Sequence, residues 1–237
     1  MIRISGIRKR FGELEVLRGI EASIGKGRVT GIVGPNAAGK TTLIKSILGL
    51  TRPDAGEIHV NDVKVNGDES YRRSIGYMPQ IARFPSNLTG AELLQMLRDL
   101  RPDVTAVDDE LIAWFGLESE LGKKLSALSG GTRQKITAVT AFMFKPQLLI
   151  LDEPTAGLDP RSSAILKDKI RSERSKGRTF IITSHIMAEL EELADDVIFV
   201  GDGQVRFSGS IQQIMNLTRQ SNLERAVARL MERGAAA

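Results

Sequence analysis

The segment 34–41 has the residue types and the spacing that bind phosphate groups. It reads Gly-Pro-Asn-Ala-Ala-Gly-Lys-Thr, which matches G-x-x-x-x-G-K-[ST], and it lies between an apolar stretch at 29–33 and a helical pattern. In that context backbone N–H groups surround phosphates, Lys40 neutralises their charge and the Thr41 hydroxyl binds Mg²⁺. A glycine-rich turn with a surface lysine, the alternative, does not account for this context. The sequence therefore predicts a site for ATP and Mg²⁺. The residues predicted to contact the nucleotide here are Gly34, Pro35, Asn36, Ala37, Ala38, Gly39, Lys40, Thr41 and Thr42.

A pair of acids could supply the rest of a hydrolytic site. Asp152 and Glu153 follow the apolar stretch 148–151, so both should emerge at the carboxyl edge of a sheet, where such folds bind ligands. We expect Asp152 to hold the magnesium ion or its water. Glu153 would then polarise the attacking water as a general base. An acidic pair alone is more often a solvated strand end, but its combination with the phosphate loop favours catalysis.

These residues require strands and helices that bring them together. Alternating apolar residues at 2–4 and 20–24 predict half-buried strands of an antiparallel N-terminal sheet. The mostly apolar stretches 29–33, 147–151, 179–183 and 197–200 alternate with helical patterns, which is typical of a buried parallel sheet. We therefore predict an α/β fold, a phosphate-loop NTPase core of mostly parallel strands with flanking helices.

The segment 85–128 has a different, helical pattern. Thr89 and Glu92 form a predicted capping box, a second helix is expected around 107–115, and Gly116 is its predicted C-cap. The predicted apolar face of the first helix consists of Leu93, Leu94, Met96, Leu97 and Leu100, and we expect Trp114 in the core of the lobe. We expect a single domain over 1–237. Its predicted parts are the core with its antiparallel β-subdomain (1–84 and 129–209), the helical lobe (85–128) and a helical tail (210–237).

Taken together, the ordered motifs resemble the ATP-binding-cassette (ABC) ATPases over nearly the whole chain. The additional motifs are a signature, a glutamine loop, a D-loop, a switch histidine and two adenine-packing residues. In this sequence they are Leu128-Ser129-Gly130-Gly131, Gln80, Gly157-Leu158-Asp159, His185, and Phe11 with Val16. Each string is weak alone, but their order is specific to the family.

The resemblance implies roles for these residues. Gln80 would contact Mg²⁺ and the attacking water, His185 the γ-phosphate, and Asp159 the nucleotide interface. Ser129, Gly130 and Gly131 would bind the γ-phosphate of ATP held by a second copy, using the N-terminus of the helix that they begin. Because one chain carries every motif, we expect a homodimer with two composite sites.

The sequence departs from the family pattern at two positions. Ala37 stands where a glycine is common, and we expect the loop to tolerate it if the backbone φ is negative. Thr132 replaces a frequent glutamine after the signature glycines. We expect phosphate binding to survive, since residue 132 lies one step along the helix.

Composition places the chain among ordinary globular proteins. It has 41% hydrophobic and 26% charged residues, no cysteine and no long apolar stretch, so we expect a cytoplasmic protein that is peripheral to the inner membrane. The formal charge of +4 is spread among acidic residues, and we therefore expect no nucleic-acid partner. Family members that act on nucleic acid carry long coiled-coil insertions or a second cassette, and this sequence has neither.

The family resemblance implies an integral membrane permease as partner, and three segments indicate a subfamily. Residues 75–89, 128–135 and 190–196 resemble the ATPase subunit of the Nos system, which supports copper-centre assembly in nitrous oxide reductase. That resemblance implies a NosY-like permease and a NosD-like periplasmic partner. With dispersed methionines and no cysteine, the chain itself has no plausible Cu(I) site. An exporter ATPase for a drug, lipid or peptide remains the alternative.

Overall fold

The computed structural model describes residues 1–65, 67 and 69–235, without the side chains of 233–235. Residues 236 and 237 of the predicted tail lie outside the described residues. The strands are β1 (Ile2–Phe11), β2 (Leu14–Ile24), β3 (Val29–Val33), β4 (Ala55–Val60), β5 (Val63–Lys64), β6 (Ile75–Met78), β7 (Leu148–Asp152), β8 (Thr179–Thr183), β9 (Asp196–Gly201) and β10 (Gln204–Ser210). The α-helices are α1 (Lys40–Ile47), α2 (Gly90–Asp99), α3 (Glu110–Phe115), α4 (Gly130–Phe142), α5 (Pro160–Ser175), α6 (Met187–Leu193), α7 (Ile211–Thr218) and α8 (Leu223–Ala235).

The core is a sheet in the order β10-β9-β3-β8-β7-β6. All of its neighbouring pairs are parallel except β9 with β10. Strands β3, β7 and β8 are buried along their whole length, as their continuous apolar sequences predict. The predicted α/β fold with a mostly parallel sheet is confirmed.

The two faces of this sheet pack into two hydrophobic cores. Leu148 and Ile150 of β7 face a core shared with α1 and the N-terminal sheet. Leu149 and Leu151 face the opposite core, which includes α4, α5 and residues of α2, α3 and α8. Because successive side chains of a strand point to opposite faces, one apolar strand supports both layers.

The N-terminal sheet has the order β2-β1-β4-β5 and is antiparallel, as the alternation predicts. Its buried isoleucines pair across strands, for example Ile2 with Ile24 and Ile4 with Ile58. This layer lies beside α1 and contributes Leu17 to the packing around Gly39. It thus supports the phosphate loop from one side.

The predicted lobe contains α2 and α3. Thr89 and Glu92 form the capping box of α2, and Gly116, at φ 65°, is the C-cap of α3. Leu93 and Leu94 are buried, but Leu100, Trp114 and Met96 are 70%, 42% and 38% exposed. The prediction that Trp114 belongs to the lobe core is therefore wrong. The predicted apolar face of α2 is buried only in part, because helical periodicity does not distinguish a core face from an exposed apolar one.

The tail consists of the two predicted helices. Ser210 and Gln213 form a capping box at α7, and Leu223 and Ala226 of α8 are buried against the core. The Leu223 N–H donates to the Glu191 carboxylate, which joins α8 to α6. Among the described residues, no helix combines the length and apolar character needed to cross a membrane.

Candidate active site

The phosphate loop begins where β3 ends and leads into α1. Gly34 has φ 152°, and a Cβ there would lie 2.0 Å from the Val200 carbonyl oxygen. Gly39 has φ 101°, and a Cβ there would lie 2.8 Å from Leu17. Both positions require glycine because a side chain would collide with packed atoms. The loop is therefore shaped by the strands beside it as well as by its own sequence.

Ala37 adopts a backbone φ of 62°. The condition given for tolerating alanine at this position, a negative φ, is therefore not met. A left-handed conformation costs a residue with a Cβ about 1–2 kcal/mol, so the loop is strained at Ala37.

Lys40 points back into the loop. Its ammonium donates hydrogen bonds to the carbonyl oxygens of Gly34 and Pro35, at 2.7 and 2.9 Å. Burial lowers the pKa of Lys40, and the charges of Glu153 and Asp152 oppose this effect only in part. A phosphate in the loop would supply the missing negative charge, and the residues present therefore fit a nucleotide.

Asp152 and Glu153 lie at the carboxyl edge of the sheet, as predicted. They are 6% and 8% exposed, and Glu153 has φ 52°. The Thr183 hydroxyl donates to Asp152 Oδ1 and accepts from the Glu153 N–H at 3.0 Å. The sequence prediction missed Thr183. The only signal for it is a polar residue at the end of an apolar strand, and its strand register opposite Asp152 cannot be read from the sequence.

His185 contacts Glu153 twice. Its Nε2 lies 3.2 Å from Glu153 Oε1, and its backbone N–H donates to Oε2 at 3.2 Å. The imidazole is largely exposed, whereas the carboxylate is buried. The histidine therefore holds the orientation of the carboxylate and keeps a face open to a ligand.

Most of the predicted residues line a single cleft of about 310 Å³. Its lining is Leu14, Val16, Asn36, Ala37, Ala38, Gly39, Lys40, Thr41, Thr42, Gln80, Asp152, Glu153 and His185. Leu14, at the start of β2, was not predicted. Phe11 is not part of the lining: it is 52% exposed at the end of β1, with the Lys9 ammonium 5.4 Å from its ring centroid.

The cleft suits Mg²⁺ bound together with phosphates. Asp152 supplies a carboxylate, Thr41 a hydroxyl and Gln80 an amide, and all three line the cleft. The described residues contain no cluster of three or more histidine, cysteine or acidic side chains that could hold a metal without a ligand. Because Mg²⁺ is usually held by one or two carboxylates plus substrate phosphates and water, this donor set fits it.

The signature residues lie outside this cleft. Ser129 is the N-cap of α4, and its hydroxyl accepts a hydrogen bond from the Thr132 N–H at 3.1 Å. A Cβ added at Gly130 would meet no atom within 4 Å, and one at Gly131 would lie 3.0 Å from the Gly157 carbonyl oxygen. An open, capped helix N-terminus is able to receive an anion from outside the chain.

Asp159 also lies outside the cleft and has a structural role in this chain. It is the N-cap of α5, accepting from the Ser162 N–H at 2.9 Å and the Ser162 hydroxyl at 2.6 Å. The Lys135 ammonium is 3.2 Å away. These hydrogen bonds and this charge hold the pKa of Asp159 well below its usual value.

Comparison with known proteins agrees with this arrangement. The family model described as "ABC transporter" matches residues 17–156, more than half of the chain, including Lys40, Asp152 and Glu153. The chain is 31% identical to the Nod factor export ATP-binding protein I of Ralstonia nicotianae, over 91% of this chain and 68% of that protein. It is 33% identical to the daunorubicin resistance ATP-binding protein DrrA3 of Streptomyces coeruleorubidus, over 99% of this chain and 76% of that protein.

Solved structures show the same fold. The ATP-binding subunit of an ABC transporter superposes with a TM-score of 0.91 at 28% identity, covering 98% of this chain and 99% of that one. A dimeric ATP-binding cassette in a post-hydrolysis state with ADP and Pi has a TM-score of 0.79 at 23% identity, covering 89% and 98%. The second likeness is one of fold alone.

Proposed function

Because this chain belongs to the ABC transporter family of ATPases, we propose that it is a transporter subunit in which two copies pair and drive a separate integral membrane permease. The chain binds ATP with Mg²⁺ and hydrolyses it, as the family does. The observation that carries the proposal is the convergence of Lys40, Asp152, Glu153 and His185 on one cleft.

We assign the hydrolytic roles from the geometry of that cleft. Lys40 neutralises phosphate charge, and the buried Glu153 carboxylate takes a proton from the attacking water. His185 orients that carboxylate, and its exposed imidazole would contact the γ-phosphate when ATP is bound. Thr41, Gln80 and Asp152 would hold Mg²⁺, which when bound neutralises charge on the phosphate oxygens.

A second copy would complete the site. Ser129, Gly130 and Gly131 do not line the cleft of their own chain, and they leave open space at a helix N-terminus. Placed over the cleft of a partner, they would bind its γ-phosphate while Phe11 and Val16 pack on adenine. Asp159, at the N-cap of α5, would lie in this interface. ATP would then hold the dimer closed, and hydrolysis would release it.

An apolar groove of about 310 Å³ is the proposed docking site for a cytoplasmic segment of the permease. Its lining is Ile75, Gly76, Tyr77, Phe84, Leu97, Leu100, Arg101, Thr140, Ala141, Phe144 and Pro146. Gln80 follows β6 of this groove and also lines the nucleotide cleft, so one short segment touches both sites. The chain would thus be peripheral on the cytoplasmic face of the membrane.

The transported species depends on that permease, and two candidates are supported. The first candidate is a Nos-type role in copper or sulfur delivery for nitrous oxide reductase, with NosY-like and NosD-like partners. It is favoured by the sequences of segments 75–89, 128–135 and 190–196. The names of the relatives, for Nod factor export and daunorubicin resistance, favour an exporter. Purification of the chain with its native membrane partners distinguishes the two: a Nos-type permease supports the first, and a drug or lipid exporter permease excludes it.

The catalytic proposal is tested with Glu153→Gln. We expect kcat to fall by about 10²-fold or more, while gel filtration still shows an ATP-dependent dimer. Glu189→Gln is the matched control, because Glu189 accepts from the Thr155 hydroxyl and an amide oxygen preserves that contact. A Glu153→Gln protein with wild-type turnover would show that another group is the base.

A further inference from the structure

Thr183 joins the two acids of the active site through one hydroxyl group. It is the last residue of β8, it lies in register with Asp152 of β7, and it is 1% exposed. Its Oγ1 donates to Asp152 Oδ1 and accepts from the Glu153 N–H at 3.0 Å. The hydroxyl therefore acts as a donor to Asp152 and as an acceptor from Glu153, two adjacent residues with different proposed roles.

The hydrogen bond to the Glu153 N–H acts on a strained backbone. Glu153 has φ 52°, a conformation that a residue with a side chain keeps only when its surroundings fix it. The same N–H also contacts the Thr183 carbonyl oxygen, at 3.1 Å. Thr183 thus holds this peptide in the conformation that brings the Glu153 carboxylate to His185.

The hydrogen bond to Asp152 fixes a carboxylate that faces the cleft. Only Oδ1 is engaged by Thr183, and among the described residues Oδ2 has no hydrogen-bond partner. A carboxylate held by one oxygen presents the other in a defined direction. Groups that orient a ligand in this way change metal affinity or activity by about 10–100-fold when they are removed.

We propose that Thr183 is a positioning residue that sets the Mg²⁺-binding carboxylate and the general base relative to each other. The proposal rests on the roles given above to Asp152 and Glu153. It predicts that loss of the hydroxyl weakens metal binding and slows hydrolysis together, since one group orients both acids.

The same strand provides a matched control for an ordinary buried hydroxyl. Thr179, at the other end of β8, is 0% exposed, and its hydroxyl accepts from the Gly27 N–H at 2.9 Å. Thr179→Val and Thr183→Val therefore remove the same group from the same strand. Of these two hydroxyls, only that of Thr183 contacts Asp152 and Glu153.

The experiment measures kcat, KM for ATP, and Mn²⁺ affinity by paramagnetic resonance with a non-hydrolysable ATP analogue. For Thr183→Val we expect kcat and Mn²⁺ affinity each to fall about tenfold or more. Because metal and nucleotide bind as one complex, we expect KM for MgATP to rise by a similar factor. Thr183→Ser keeps the hydroxyl and should restore kcat and Mn²⁺ affinity to within about threefold. Thr179→Val should lower the unfolding temperature without changing either quantity. Thr183→Ala replaces Thr183→Val if the latter does not fold.

Wild-type kcat and Mn²⁺ affinity in Thr183→Val would overturn the proposal, as would a Thr183→Ser protein as impaired as Thr183→Val. Glu153→Gln separates this failure from failure of the catalytic assignment. If Glu153→Gln is inactive and Thr183→Val is normal, only the positioning role is wrong. If Glu153→Gln turns over normally, the assignment of the base itself is wrong.

Discussion

Two residues of the cleft, Ala37 and Glu153, adopt left-handed backbone conformations that are uncommon for residues with side chains. Their φ angles are 62° and 52°. The Glu153 N–H donates to Thr183 of the neighbouring strand β8, and the Glu153 carboxylate accepts from the His185 N–H. Ala37 has no catalytic side chain, so the strain there is separable from the chemistry.

We predict that Ala37→Gly raises the free energy of unfolding by about 1 kcal/mol. Glycine adopts this φ without strain, and its greater freedom in the unfolded chain offsets only part of the gain. Urea unfolding of the nucleotide-free protein measures the change. Ala38→Gly is the control: Ala38 is 4% exposed without a positive φ, and its replacement should destabilise the protein. Equal destabilisation by both variants would contradict the account of strain at Ala37.

Asp159 gives a pH-dependent prediction. Its usual pKa of 3.8 is lowered in the folded protein by hydrogen bonds from Ser162 and by Lys135. A lowered carboxyl pKa stabilises the fold above the unfolded pKa, and this contribution is lost as the pH falls toward the folded pKa. Asp159→Asn retains a capping oxygen but not the charge. We expect the free energy of unfolding of Asp159→Asn, measured by urea unfolding, to be lower than that of wild type near neutral pH. This difference should become smaller below about pH 4. A difference in the free energy of unfolding that stays constant below about pH 4 would contradict a stabilising role of the Asp159 charge.

Residue types predicted which side chains share one cleft where the motif residues are consecutive in the sequence. Lys40, Thr41, Asp152 and Glu153 were located by motif and by strand context alone. Thr183 was missed because its role depends on strand register, which brings residues 31 positions apart into contact. The left-handed conformation of Ala37 could not be predicted, because alanine by itself does not indicate a positive φ.

At the scale of elements, a buried lysine joins the lobe to the core. Lys169 of α5 is fully buried, and its ammonium lies 2.6 Å from Asp108 and 2.7 Å from Glu110, at the start of α3. Glu173, one turn along α5, is 3.4 Å away, and the Trp114 ring centroid is at 5.4 Å. Although burial opposes it, the hydrogen bonds to Asp108 and Glu110 raise the pKa of Lys169. The group therefore stays charged among buried carboxylates.

We predict that Lys169→Met lowers the free energy of unfolding by about 3 kcal/mol, because it leaves the Asp108 carboxylate buried without a counter-charge. Glu173 keeps its ion pair with Lys176. Chemical unfolding measures this. Lys167→Met, on the same helix, removes an ion pair to the partly exposed Glu192 and should cost about 0.5 kcal/mol or less. Similar losses for the two variants would show that the buried cluster does not join lobe and core.

Sequence patterns predicted the elements better than the contacts between them. Capping residues located the start of α2 and the end of α3, and apolar runs located β3, β7 and β8. The exposure of Leu100 and Trp114 was missed, since an apolar stripe looks the same whether it faces a core or a groove. The Lys169 cluster was also missed, because its members come from separate helices.

At the scale of the whole molecule, the sheet positions two surfaces with different tasks. The nucleotide cleft lies at the carboxyl edge of β3 and β7, and the signature residues begin α4 outside it. The fold class and this order of motifs were predictable, since they follow from strand–helix alternation and from the family resemblance. The family resemblance implied that the signature lies apart from the cleft of its own chain, and in the structure the signature residues do not line that cleft. This separation is the feature from which pairing of two copies is inferred.

The most direct test of this pairing is a cysteine cross-link between the phosphate loop and the signature. The chain has no cysteine, so Asn36→Cys and Gly130→Cys can be combined in a Glu153→Gln background without competing thiols. Asn36 is exposed in the cleft, and a side chain at Gly130 meets no neighbouring atom. With MgATP and a short bifunctional cross-linker, we predict a covalent dimer that is absent without nucleotide. A cross-link within single chains, or none although ATP is bound, would contradict the composite site.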